Sequence, residues 1–369
     1  MVCQSRTVEG LEMNAGFWRG KRVLVTGHTG FKGSWLSLWL HEAGAIVAGY
    51  SLPPSSVENL FELAEVGSAV DSVYADIRDL AELKRQFHLF QPEIVFHLAA
   101  QALVRKSYEA PVETYEVNVM GTANVLEAVR TCNSCRVVLV VTSDKCYENR
   151  EWNLGYRECD PMGGHDPYSS SKGCAELVTS AYRRSFFGPS SHREVAIASA
   201  RAGNVIGGGD FARDRLLPDL VKAMRNRSVL AIRYPDAVRP WQHVLEPLSG
   251  YILLAEKLWS NPRQYSDCWN FGPSAYDCRS VRWVIEKFSE FFDQKISWTT
   301  DHATNPHEAG LLTLDSTKAR TDLGWQSRWS IDSALRAAAE WYRAQARNES
   351  ARDAILRDIE SYEVSRTCP

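Results

Sequence analysis

The chain has 369 residues, 44% of them hydrophobic, enough to bury a large core and to make two domains or one nucleotide-binding domain with additions. A net charge of −3, without a basic block or polybasic tail, argues against nucleic acid or a membrane surface as partner and leaves small molecules. No apolar run is long enough to cross a bilayer, residues 1–16 lack the apolar core of a secretory signal, and nine scattered cysteines suit free thiols in the cytoplasm.

Residues 1–16 read as an extension, because patterned sequence begins at Phe17 and Met13 would serve equally well as a start. Arg22–Thr26 reads as a buried strand, Gly27-His28-Thr29-Gly30-Phe31-Lys32-Gly33 as a glycine loop, and Ser34–Ala43 as an apolar helix closed by Gly44. That order suits a dinucleotide, whose phosphates would rest at the amino end of the helix while the glycines let the backbone come close. The spacing is Gly-x-x-Gly-x-x-Gly, not the general G-x-G-x-x-G. Ala45–Tyr50 is a second strand, and Tyr50-Ser51-Leu52-Pro53-Pro54 lacks the acid that would grip a ribose, so NAD and NADP both stay open.

Asp76-Ile77-Arg78-Asp79 ends a short strand, with Asp76 either beside a cofactor or capping a helix from Leu80. Glu93–Gln101 is another buried strand that ends in small residues, and His97 inside it is expected to be a satisfied core histidine. Val112–Arg130 is helical and carries Asn118 and Gly121. Cys132-Asn133-Ser134-Cys135 has redox or metal spacing but no second pair, and reads as a loop.

The apolar run Val137–Val141 is a buried parallel strand that delivers Thr142, Ser143, Asp144 and Lys145 at its carboxyl end, where such sheets place their chemistry. After a turn-rich stretch, Tyr168 and Lys172 stand four residues apart on one helical face, a phenol beside an ammonium and hence a base candidate. Glu194–Arg201 continues the alternation of strand and helix, which predicts an α/β fold with a doubly wound parallel sheet. Beyond Asp210 the rhythm breaks, and Arg213, Arg215, Arg233, Arg239 and Trp241 read as a smaller lobe closing over an anionic substrate. Ser280–Phe292 and Ser330–Arg343 have helical periodicity, whereas the charged stretch 344–369 is taken as a C-terminal tail of undecided structure.

Taken in order, the glycine loop, Asp76-Ile77, Leu98-Ala99-Ala100, Asn118-x-x-Gly121, Tyr168-x-x-x-Lys172 and Arg201-x-x-Asn204-Val205 resemble the extended short-chain dehydrogenase/reductase family over roughly residues 17–343. That family uses the glycine spacing found here. Within it, Thr142-Ser143-Asp144-Lys145 is similar to the loop of the nucleotide-sugar 4,6-dehydratases, with lysine where their glutamate stands. The resemblance implies a Rossmann-type NAD-binding domain over residues 17–205 with a returning segment near 240–262. It implies a nucleotide-sugar-binding α/β lobe over 206–239 and 263–343, and a homodimer or higher homo-oligomer through the helices holding Asn118 and Tyr168. The cofactor would be NAD, with NADP not excluded, and no metal. The substrate would be a nucleotide sugar, CDP-glucose by similarity alone, destined for deoxysugar and lipopolysaccharide O-antigen synthesis.

The implied chemistry is oxidation at sugar C4, loss of water across C5 and C6, and return of the hydride to C6. Tyr168 would be base at the 4-hydroxyl, its phenol pKa lowered by Lys172, which would also hold the nicotinamide ribose. Ser143 would bond the 4-oxygen, and Asp144, kept protonated, would donate to the departing 6-hydroxyl. Lys145 would take the C5 proton or, keeping its charge, stabilise the enolate. By the same resemblance Gly27, Thr29, Gly30, Phe31, Lys32, Gly33, Asp76, Ile77, Leu98, Ala99 and Ala100 would line the cofactor. Ser107, Asn204, Arg215 and Arg239 would meet the sugar nucleotide. A 4-epimerase, which needs no acid at the 6-hydroxyl, a 4,6-dehydratase of another nucleotide hexose, and a non-catalytic nucleotide sensor are the rival readings.

Overall fold

The computed structural model describes residues 13–188, 193–292, 296–301 and 309–365. Its centre is a seven-stranded sheet of β1 (Arg22–Thr26), β2 (Ile46–Ser51), β3 (Asp71–Tyr74), β4 (Ile94–His97), β5 (Val137–Val141), β6 (Ala196–Ala202) and β7 (Cys268–Phe271). The spatial order is β7-β6-β5-β4-β1-β2-β3 and every pairing is parallel, so strand order reverses between β1 and β4 and opens a crevice at their carboxyl ends. The expected α/β doubly wound class is the observed one.

Burial on both faces explains the apolar runs. Val137, Val138 and Leu139 are fully buried, as are Ile94, Val95 and Phe96. His97 is the polar exception in β4 and is satisfied there, with Nδ1 2.7 Å from Thr26 Oγ1 and Nε2 3.1 Å from Thr122 Oγ1. Burial lowers its pKa to about 3, so it stays neutral as a core residue. The Phe31–Glu42 helix packs on the other face, so close to the end of β1 that a Cβ on Gly33 would come 2.1 Å from the Gly27 carbonyl oxygen. Only glycine permits that contact.

Beyond β6 the chain forms a lobe of short two-stranded pairs, Leu230–Ile232 with Trp298–Thr300 and Val238–Pro240 with Cys278–Ser280, carried with helices Leu216–Asn226 and Val281–Glu290. Two sequence expectations change. The 263–343 segment returns Cys268–Phe271 to the main sheet as its seventh strand, because Trp269 and Phe271 bury completely while Asn270 is satisfied by Tyr147, Tyr156 and Asp315. The stretch after 344 also folds, as helix Ala351–Val364 capped by Ser350. Ala351, Ile355, Ile359 and Tyr362 supply its apolar face. Tyr362 Oη donates to Glu246 Oε2 at 2.7 Å, and the Arg328 guanidinium donates to the last carbonyls of the helix. Burial pushes the Glu246 carboxyl up to about 7.

Because Ile355 is fully buried, Ile355→Ala is expected to cost about 2–5 kcal/mol of stability, seen as a lower urea midpoint. A midpoint unchanged from the parent would return this helix to the status of a dispensable tail.

Candidate active site

The carboxyl end of β5 runs into Thr142 and Ser143 and then a single 3₁₀ turn, Asp144–Cys146, capped by Ser143. The Lys145 N–H donates to Ser143 Oγ at 3.3 Å, and Ser143 Oγ donates to Asp144 Oδ1 at 3.0 Å. Asp144 is 2% exposed and its second oxygen has no partner. A Cβ at Gly203 would lie 3.1 Å from that oxygen, so the small residue keeps the space in front of it open. Lys145 is half-buried beside it and lines the same cavity.

Facing this turn is helix Pro167–Phe186, opened by Asp166, which accepts from the Ser169 N–H and the Ser169 hydroxyl, with Pro167 at the first position. Tyr168 and Lys172 share its buried face. Asn118 fixes the approach of this helix by exchanging hydrogen bonds with the backbone of Gln101 and donating to Ser171 Oγ at 2.8 Å. Burial pushes the Tyr168 phenol up to about 12, against a hydrogen bond with Ser143 and the positive charge of Arg215. Here the structure corrects the sequence argument. Lys172 Nζ donates to the Val141 carbonyl at 3.3 Å and faces Glu176, and it is Ser143 and Arg215 that draw the phenol pKa down. Burial lowers Lys172 itself to about 8, with Glu176 opposing the shift.

Glu176, one turn beyond Lys172, is a residue that sequence reading passed over. Its carboxylate accepts from Thr142 Oγ1, from Ser199 Oγ at 2.6 Å, and from Arg201 Nε and Nη2 at 2.9 Å each. Arg201 in turn donates to Tyr147 Oη at 2.6 Å. The available signal was the Tyr168, Lys172, Glu176 spacing of four, which puts all three on one face.

The glycine loop closes the other wall of a cavity of about 1340 Å³. Gly27 adopts φ +77°, and a Cβ there would sit 2.7 Å from the Ala99 nitrogen, so the loop packs directly on the end of β4. The expected cofactor residues Gly27, Thr29 to Gly33, Asp76, Ile77, Leu98, Ala99 and Ala100 line this cavity, as do Asn204, Arg215 and Arg239. Ser107 does not belong to the set. It is fully buried in helix Val104–Glu109 and its hydroxyl donates to the Val104 carbonyl at 2.6 Å. Asp76 is not the helix cap: Asp79 accepts from the Glu82 N–H, while Arg78 holds the Asp76 carboxyl below its ordinary range. At the end of β2, Thr29 Oγ1 lies 2.9 Å from Ser51 Oγ, hydroxyls where a carboxylate was sought. Cys132 and Cys135 are buried free thiols.

Lys32, expected beside the cofactor, adds a charge that its place in the loop does not announce. It reaches the same cavity, where burial, then Arg215 and Lys172, push its ammonium down to about 7.

Residues 24–338 match the family model described as GDP-mannose 4,6 dehydratase. The chain is 50% identical over 357 residues to CDP-glucose 4,6-dehydratase of Salmonella typhimurium, covering 96% of this chain and 99% of that one. In fold it is similar to UDP-glucose 4-epimerase of Thermotoga maritima with UDP-glucose, at TM-score 0.75 and 21% identity, covering 88% of this chain and 99% of that one. It is likewise similar to dTDP-glucose 4,6-dehydratase of Bacillus anthracis in complex with NAD, at TM-score 0.73 and 19% identity, covering 89% of this chain and 99% of that one.

The lysine environments set a pH dependence. Lys32 and Lys172 have folded pKa values of about 7 and about 8 against 10.5 for the free side chain, so between those values the unfolded chain binds more protons and stability rises with pH. The cofactor-free protein is therefore expected to gain thermal stability from about pH 7.5 to about pH 9, with Lys32→Met shallower in slope. An identical slope in the variant would contradict the environment described for Lys32.

Proposed function

The chain belongs to the GDP-mannose 4,6 dehydratase family, and from that premise we propose that it is an enzyme converting CDP-glucose to CDP-4-dehydro-6-deoxyglucose with NAD as a recycled cofactor. The observation that carries the reading is the Ser143-Asp144-Lys145 turn set across one cavity from Tyr168 and Lys172, in a chain half identical to a CDP-glucose 4,6-dehydratase. An epimerase has no use for the acid at Asp144.

The loop fits a dinucleotide: no side chain can enter at Gly27 or Gly33, so backbone alone faces the space in front of the Phe31–Glu42 helix. Gly27, Thr29 to Gly33, Asp76-Ile77 and Leu98-Ala99-Ala100 would hold NAD, with Lys172 at the nicotinamide ribose. NAD, when bound, supplies the hydride acceptor for sugar C4 and the donor for C6, and adds positive charge beside the phenol. Tyr168 removes the 4-hydroxyl proton while Ser143 bonds the 4-oxygen. The resulting ketone acidifies C5–H, which Lys145 takes, and the open oxygen of Asp144 delivers a proton to the 6-hydroxyl as it leaves as water. Asn204 and Arg239 meet the diphosphate or sugar, with Arg215 as a further contact from the same cavity.

We assign residues 17–205, the returning segment 240–262 and the Cys268–Phe271 strand to the cofactor-binding unit, and 206–239 with the rest of 263–343 to the sugar-nucleotide lobe. Exposed Val112, Met120, Leu177 and Phe186 on the helices that hold Asn118 and Tyr168 support pairing of two copies there. Seven described free cysteines support a reducing, cytoplasmic location.

Purified protein given CDP-glucose without added reductant is expected to yield a product lighter by one water, and to prefer that substrate over UDP-, dTDP- and GDP-glucose. An isomer of unchanged mass would move the assignment to an epimerase. Lys145→Met is expected to lower turnover by about 10²–10⁴-fold and to stop entry of solvent deuterium at C5. Deuterium entering C5 at the parental rate would show that another group or water removes that proton.

A further inference from the structure

At the rim of the cavity, two arginines from opposite walls converge on one carboxylate oxygen. Arg105, on helix Val104–Glu109 of the cofactor-binding half, places Nη1 3.1 Å from Asp214 Oδ1. Arg233, just past strand Leu230–Ile232 of the lobe, places Nη1 3.4 Å from the same atom. All three residues line the cavity that also contains Asn204 and Arg239, and all are partly exposed, with side chains 42%, 38% and 23% accessible for Arg105, Asp214 and Arg233. Asp214 sits at φ +61°, a left-handed conformation costly for a residue with a Cβ, which the surrounding loop must sustain.

We propose that Arg105 and Arg233 form an anion clamp for the diphosphate of the sugar nucleotide, and that Asp214 occupies the clamp until the diphosphate displaces it. Two guanidiniums that can share one carboxylate oxygen can grip the non-bridging oxygens of a diphosphate, which offers more acceptors and more charge. The exchange is easy because ion pairs this exposed are held only weakly against water. The clamp is separate from Arg239, which is 7% exposed and donates to the Val238 carbonyl at 3.0 Å deeper in the cavity. It also joins the two halves of the molecule, so substrate entry would trade a protein carboxylate for a ligand phosphate without opening the contact between walls.

This inference rests on the reading of the substrate as a sugar nucleotide, though not on which base it carries. The test is the dissociation constant of CDP for the NAD-loaded protein, measured by titration calorimetry alongside cytidine. Arg105→Ala is expected to weaken CDP about tenfold, the loss of roughly one charge-assisted contact, with cytidine unchanged. Asp214→Asn, which tolerates the left-handed backbone, is expected to tighten CDP about threefold by removing the competing anion. A merely structural ion pair predicts the opposite sign for Asp214→Asn, so weaker or unchanged CDP binding in that variant overturns the clamp, as does unaltered binding in Arg105→Ala. If wild-type protein ignores CDP but binds UDP or dTDP, and both variants shift that nucleotide as stated, the clamp stands and the cytosine reading fails.

Discussion

The site depends on the buried carboxylate of Glu176. Burial alone would raise its pKa, but the charge of Arg201 and the hydrogen bonds from Arg201, Ser199 and Thr142 outweigh it and hold the carboxyl below the ordinary range. One side chain thereby ties helix Pro167–Phe186 to the ends of β5 and β6. Thr142 is the residue before Ser143, and Arg201 grips Tyr147 just past the Asp144–Cys146 turn, so both ends of that turn are fixed from behind. Removing either member of such a buried pair costs about 3–5 kcal/mol, because the other is left charged and unpaired. Its ionic character has a second consequence, since the same carboxylate faces Lys172 and resists loss of its proton.

In front of this anchor the chain places groups whose charges are at odds. Lys32, Lys172 and Arg215 share one cavity with Asp144 and Asp210, and burial alone would discharge the amines. Asp210 answers Arg215 at 3.0 Å, and the open oxygen of Asp144 remains free to act. A phenol held up at about 12 keeps its proton until positive charge gathers beside it, so in the proposed reaction deprotonation at the 4-hydroxyl is linked to an assembled site. The glycine positions serve the same end from the opposite wall, because backbone packed on backbone leaves the cavity its width.

Much of this was legible because periodicity and chemistry coincided. The apolar runs of β1, β4 and β5 marked buried parallel strands, and the loop and turn residues at their carboxyl ends fell where a doubly wound sheet binds ligands. The failures have physical causes. β7 carries Trp269 and Phe271 around a buried Asn270, and no run of four reveals that its amide is satisfied by loops far off in sequence. Helix Ala351–Val364 hides an apolar stripe of every third and fourth residue among charged ones. Ser107 looked available because a serine in a short motif shows nothing of its own helix carbonyl. Lys32 was named, but the charges that press on it, like the partners of Asp214, come from distant segments that pattern alone does not bring together.

The central claim is that the site moves one hydride within one sugar. CDP-glucose bearing deuterium at C4, incubated without added reductant, tests it most directly through mass and the position of the label. The account predicts a product lighter by one water with the deuterium now at C6. An isomer that keeps its mass, or a dehydrated product whose C6 carries no label, would contradict it.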